Sequence, residues 1–251
     1  MRDYSHFQKD SFQLGGLVAA QYNVIVLEPP KRPVPVRDVE RVEVPGRSGD
    51  LVFDRGRYRN VMVDYKCVIV PDGGRSMRDA VTAFANAFAS AAGYQPLTDT
   101  FDSTHFTMAR VSEEIDVESI VERAGRFTIT FDSKPQRYLL SGQDTYIFNT
   151  SGDEVYNDTR QAALPLITVL GSGAGVLTVQ GVPVEIKELS DQITLDCESQ
   201  NAYRQAGEGG RENKNGSIYA PIFPALKPGR NGISWTGGIS SVEIIPRWWE
   251  L

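Results

Sequence analysis

Phe127-Thr128-Ile129-Thr130-Phe131-Asp132-Ser133-Lys134-Pro135-Gln136-Arg137-Tyr138-Leu139 holds a strand and its interruption side by side. From Phe127 to Phe131 apolar residues alternate with threonine. That period of two turns one side of a strand to a core and the other to solvent. Lys134-Pro135-Gln136 then breaks the alternation, and proline lacks the N–H that a strand ladder uses. New turn spacing follows. The chain is therefore expected to form two β-rich domains, residues 1–133 and 134–251.

Upstream, Val61, Val63, Tyr65, Cys67 and Ile69 alternate with Met62, Asp64, Lys66 and Val68, and Pro71-Asp72-Gly73-Gly74 closes the run as a turn. Val42 and Val44 lead into Pro45-Gly46, and Asp54-Arg55-Gly56 is expected at a hairpin tip. Pro29 to Pro35 is read as an extended connecting arm, since each ring fixes φ and the residue before it avoids the helical region. One helix is predicted. Ser76 suits its N-cap and Asp79 its first turn. Met77, Val81, Phe84 and Phe88 recur as one apolar stripe, and Gly93 is placed to end the helix in a left-handed turn. Ala83, Ala87 and Ala91 form a face that would let another backbone come close.

Past the interruption the chain is strand and turn. Pro165 to Leu170, Val176 to Val179, Val182 to Leu189, Ile193 to Cys197, Gly232 to Thr236 and Val242 to Trp248 all fit strands, parted by Gly-Ser-Gly, Gly-Val-Pro and Pro-Gly signals. Gln205 to Gly216 is polar and glycine-rich, the composition of a surface loop. The fold class expected is mainly β: an α+β amino-terminal domain with one helix on β-sheets, then a β-sandwich.

Composition narrows the function. Hydrophobic residues at 41% and charged ones at 23% are ordinary for a globular chain of 251 residues. A net charge of −6 argues against direct nucleic-acid recognition, which needs a basic surface. No apolar run approaches a bilayer-spanning length, so no membrane insertion is expected. Met1 to His6 lead into polar sequence rather than a secretory signal, which fits synthesis in a cytoplasm. Cys67 and Cys197 stand far apart, and with His6 and His105 as the only histidines no zinc site is expected.

Catalytic sets are absent from the pattern. A Ser-His-Asp relay would have to recruit His6 or His105, and no GxSxG elbow is present. His105 is read as a half-exposed strand-edge residue. Glu113, Glu114, Asp116 and Glu118 are dense enough to suggest a carboxylate pair, although a solvated face accounts for them more simply. Gly171-Ser172-Gly173-Ala174-Gly175 lacks the lysine and helix of a phosphate loop and is read as a flexible turn. No catalytic residue, metal or cofactor is therefore assigned. Arg47, Arg55, Arg57 and Arg59 cluster near the expected hairpin tip and are the candidate subunit interface, because arginine forks suit carboxylates across an interface.

Several segments together resemble the distal tail protein (Dit) family of siphophages. Val44-Pro45-Gly46-Arg47-Ser48-Gly49-Asp50 followed by Gly56-Arg57-Tyr58-Arg59-Asn60 is similar to its VPGRxGxL…GxYxN signature, and Phe127 to Leu139 to its strand-KPQRYL junction. Ile193-Thr194-Leu195-Asp196-Cys197-Glu198 with Asn201-Ala202-Tyr203 follows in family order. Phe223-Pro224, Pro228-Gly229-Arg230-Asn231, Ile233-Ser234-Trp235 and Pro246-Arg247-Trp248-Trp249 complete it. The resemblance implies a ring-forming amino-terminal domain, a galectin-like carboxy-terminal sandwich and a hexameric hub at the virion tail tip. Its implied partners are further copies of itself, the major tail (tube) protein, the tape measure protein, and tail-associated and receptor-binding baseplate proteins. Trp248 and Trp249 should point to opposite faces, the outward one being the candidate partner contact. The alternative is a carbohydrate-binding sandwich contacting the host surface. Against it, the carboxy-terminal half has no histidine of the kind true galectins use.

Overall fold

The computed structural model describes residues 10–72, 74–112, 115, 118–121 and 124–251. They divide into two compact units, one running to Arg137 and including Leu251, the other Tyr138–Glu250.

The first unit contains β1 (Phe12–Leu14), β2 (Leu17–Val18), β3 (Val24–Val26), β4 (Arg37–Val42), β5 (Leu51–Tyr58), β6 (Val61–Ile69), helix α1 (Met77–Ala89), β7 (Gln95–Asp99), β8 (Asp102–Val111), β9 (Glu118–Val121) and β10 (Ala124–Leu139). Its main sheet runs β2-β1-β7-β8-β10-β6-β3, with β9 also on β10. The two alternating runs of the sequence are direct antiparallel neighbours: Val63 faces Phe131, Tyr65 faces Ile129 and Cys67 faces Phe127. Matched registers place both apolar sets on one buried face.

Helix α1 lies on that face. Ser76 caps it, its hydroxyl accepting the Asp79 N–H at 3.1 Å and donating to the Asp79 carboxylate at 2.7 Å. Phe84 and Phe88 are fully buried; Phe84 meets Phe127 with ring centres 5.3 Å apart, and Phe88 meets Phe12 at 5.6 Å. The helix stops at Ala89, earlier than Gly93 suggested. Gly93 does take a left-handed φ of 68°, but in the turn leading to β7. Cys67 lies in this core as a free thiol that burial pushes up to about 12.

Pro135 does not stop β10, contrary to expectation. Pairing with β6 ends at Ser133, opposite Val61, so the missing proline N–H costs that ladder nothing. The strand continues to Leu139, and the division into units falls after Arg137 rather than at Lys134.

The second unit holds β11 (Tyr146–Phe148), β12 (Asp153–Asn157), β13 (Leu166–Val179), β14 (Val182–Asp196), β15 (Asn201–Gln205), β16 (Arg211–Asn213), β17 (Ile218–Tyr219), β18 (Gly229–Ile245) and β19 (Trp249–Glu250). Its sheet runs β11-β18-β13-β14-β15-β16, with β12 on β18 and β17 on β14. Pairs of strands expected to be separate are single long strands here. The glycine run 171–175 is no turn: it lies inside β13, where register shifts against β14 and β18 bend all three. One core then draws on both halves of each bent strand, with Ile167 and Val169 beside Leu177 and Val179, and Ile233 beside Val242 and Ile244. Cys197 is buried and free in this core. The polar stretch after Gln205 is shorter as a loop than expected, since Arg211–Asn213 returns to pair with β15 and Arg211 stacks over Tyr203 at 4.4 Å.

Candidate interaction surface

Strands β4 and β5 form a two-stranded sheet of their own. Val42 pairs with Leu51, so the tip is the stretch 43–50, where Gly46 and Gly49 take φ of 81° and 83°. Asp54-Arg55-Gly56 is therefore not the tip. It lies inside β5 at a bulge, since Arg37 faces Tyr58 while Val39 faces Asp54. Gly56 supplies the left-handed φ of 73° there, and its N–H donates to Asp54 at 2.8 Å.

Three of the four candidate arginines are already engaged within the hairpin. Asp38, its side chain 9% exposed, accepts from Arg57 at 2.7 Å and from Arg59 at 3.0 Å. Those bonds hold the Asp38 carboxyl below its usual range. Arg55 meets Glu40 at 3.1 Å. Arg37, which composition did not single out, bonds Asp54 at 2.8 Å and stacks over Tyr58 at 4.9 Å. Arg47 sits apart, on the exposed tip.

Beside these exposed ion pairs the hairpin leaves apolar side chains uncovered. Val52 is 59% exposed, Phe53 56% and Val36 63%, with Val42 and Val44 also in solvent. An isolated two-stranded ribbon is marginal in water, and this one shows apolar side chains on both faces. The signal was present in the run Leu51-Val52-Phe53, which cannot hide all its members on one side of a strand.

In the second unit Trp248 is buried in the core, 4% exposed. Its backbone nitrogen lies 2.5 Å from where a β-carbon on Gly142 would sit, so that glycine admits the C-terminal segment. Arg247, at a left-handed φ of 58°, turns the chain and bonds Asp196 at 2.7 Å. Trp249 is half-buried against the same core and donates its indole N–H to the Ala162 carbonyl at 2.9 Å. Of the pair, Trp249 alone offers an exposed surface.

His105 is not at an edge, because β8 lies between β7 and β10. Its Nδ1 meets the Thr104 hydroxyl at 2.8 Å and the Asp102 carboxylate at 3.1 Å. A nucleophile–base relay needs those two groups on different ring nitrogens, so this cluster is not one. Burial raises the Asp102 pKa, but hydrogen bonds from Arg137, His105 and Thr104 outweigh it and leave the carboxyl lowered. Glu113, Glu114 and Asp116 lie outside the described residues, as do His6 and the side chain of Glu118. Among the described residues no group of three His, Cys, Asp or Glu side chains could hold a metal ion.

No family model matches the sequence, and no curated protein does. Solved structures are similar in fold, among them two from phages. One is the Dit (gp 19.1) protein of SPP1, described as a paradigm of the hub adsorption apparatus of phages infecting Gram-positive hosts. The likeness covers 94% of this chain and 97% of that one, at 14% identity and a TM-score of 0.69. The other is a chain of the phage p2 baseplate in its activated conformation, with 93% and 97% covered, 10% identity and a TM-score of 0.50. The mainly β fold expected from the sequence is thus similar to that of the SPP1 protein over most of both chains.

Proposed function

We propose that this protein is a structural subunit of a phage tail tip, a distal tail hub that is not an enzyme. The observation that carries this is the likeness to the SPP1 hub protein over nearly the whole of both chains, reached independently of the motif resemblance in the sequence. In this reading the first unit assembles with copies of itself into a hexameric ring, and the second unit is a galectin-like sandwich at its periphery. The ring joins the tail tube and tape measure protein to tail-associated and receptor-binding proteins, with Trp249 as a partner contact.

The hairpin β4–β5 is the intersubunit arm. Residues 29–60 carry eight basic and five acidic side chains, while the whole chain is −6, so the remainder of an identical copy is −9. A head-to-tail ring brings such unlike surfaces together. Val52 and Phe53 supply the apolar anchor, and Arg47, Arg55, Arg57 and Arg59 the charged rim. Light scattering of the purified chain tests this: species several chains in size support it, and a single chain at every soluble concentration speaks against it.

A second reading, sugar binding by the sandwich, rests on exposed Tyr156 and Tyr219 on its strands. A glycan array separates the two.

A further inference from the structure

Between β3 and β6 the chain leaves the main sheet, and its first stretch, 29–35, does more than connect. Arg32 reaches from it to Asp99 at the end of β7, whose side chain is 1% exposed. The same carboxylate accepts the Tyr65 hydroxyl at 2.6 Å and the N–H groups of Phe101 and Asp102 at 2.9 and 3.1 Å. With Arg32 seated, the capacity of the carboxylate is filled.

Beneath the stretch is a small cavity. Arg32, Pro33 and Pro35 line it from one side, and Val61, Val63 and Ser133 from the sheet. Val61 and Ser133 are cross-strand partners on the same face that helix α1 covers farther along, at Phe127. Helix and strap thus cover successive parts of one apolar face. Ser133 is fully buried there with its hydroxyl unpaired, a cost of the closed arrangement. Four of the seven residues 29–35 are proline and have no N–H to donate, so the strap has few backbone bonds to hold it. Its hold is concentrated in Arg32. The hairpin starts where the strap ends, with the Arg59 N–H donating to the Val36 carbonyl at 2.9 Å.

We infer that residues 29–35 are a latch. Closed, with Arg32 on Asp99, the strap fixes the base of the β4–β5 hairpin; open, it frees the hairpin and uncovers the apolar slot at Val61 and Val63. This conformational control does not depend on what the hairpin binds.

Hydrogen exchange on the full chain tests it. In Arg32→Met, amides of residues 36–59 should exchange roughly tenfold faster or more, while the β6–β10 ladder keeps its protection. Arg32→Lys, which restores a charge, should recover part of the protection. Unchanged hairpin exchange in Arg32→Met overturns the latch, as does equal loss of protection across the whole unit. Light scattering of the same samples reports assembly separately, so a chain that never assembles would refute the ring and leave the latch standing.

Discussion

A β-carbon on Gly238 would come within 1.7 Å of the Ser172 carbonyl oxygen, so β13 and β18 cross backbone against backbone. Gly171 and Gly237 are equally confined, at 2.1 Å from the Gly238 carbonyl and 2.3 Å from that of Ala174. The bend that folds the second unit around its core depends on side chains being absent there. Gly238→Ala should therefore cost about 2 kcal/mol or more, with strain that has no flexible side chain to relieve it. Gly232 has nothing within 4 Å of its β-carbon position, so Gly232→Ala should change stability by under ~0.5 kcal/mol. Denaturant titration of the two variants checks the contrast, and equal effects would remove the crossing as the cause.

Each unit carries one buried thiol, and burial pushes both pKa values up to about 12. Neither should react with a thiol reagent at pH 8 until its own core opens. Phe88→Ala should cost ~3–5 kcal/mol in the first unit. If the units are separate domains, Cys67 then labels at lower denaturant while the midpoint for Cys197 stays put. Equal movement of both midpoints would mean one cooperative unit.

Asp102, Asp132 and Asp196 all titrate below the usual carboxylate range. In each, burial pushes upward and is outweighed: by Arg137 and His105 for Asp102, by Asn60, Tyr94 and Arg110 for Asp132, and by Arg247 for Asp196. A lowered folded-state pKa gives stability that is present above the unfolded value of about 3.9 and is lost as pH falls below it. The stability difference between the wild type and Asp102→Asn should thus be steady from pH 7 to about 5 and shrink towards pH 3. A difference that grows on acidification would contradict the sign.

The hairpin makes a sharper test of assembly than its arginines do. In the hub reading Arg55→Glu with Arg57→Glu should give smaller species in place of a ring, but it also breaks the pairs to Glu40 and Asp38. Val52→Ser with Phe53→Ser breaks no ion pair, since neither side chain is charged, and both are exposed. It should leave the circular dichroism intact and still lower the assembled mass in light scattering. An unchanged mass would move the interface away from this hairpin.

Local alternation made much of this fold legible. The facing runs 61–69 and 127–133, the capped helix and its phenylalanine stripe all follow from residues close in sequence. Misreadings came where distant backbone decides the outcome. Glycines in β13 look like a turn until β18 crosses them, and Pro135 looks like a stop until its pairing with β6 has already ended. The arginine cluster was visible, but Asp38 as its internal counter-charge was not. That pairing depends on a bulge whose two extra residues only the register reveals.

Negative-stain imaging of the purified full-length chain tests the central claim most directly. The hub reading predicts six-fold rings with a central hole. Fields of single particles the size of one chain, at the highest soluble concentration and with the hairpin intact, would contradict it.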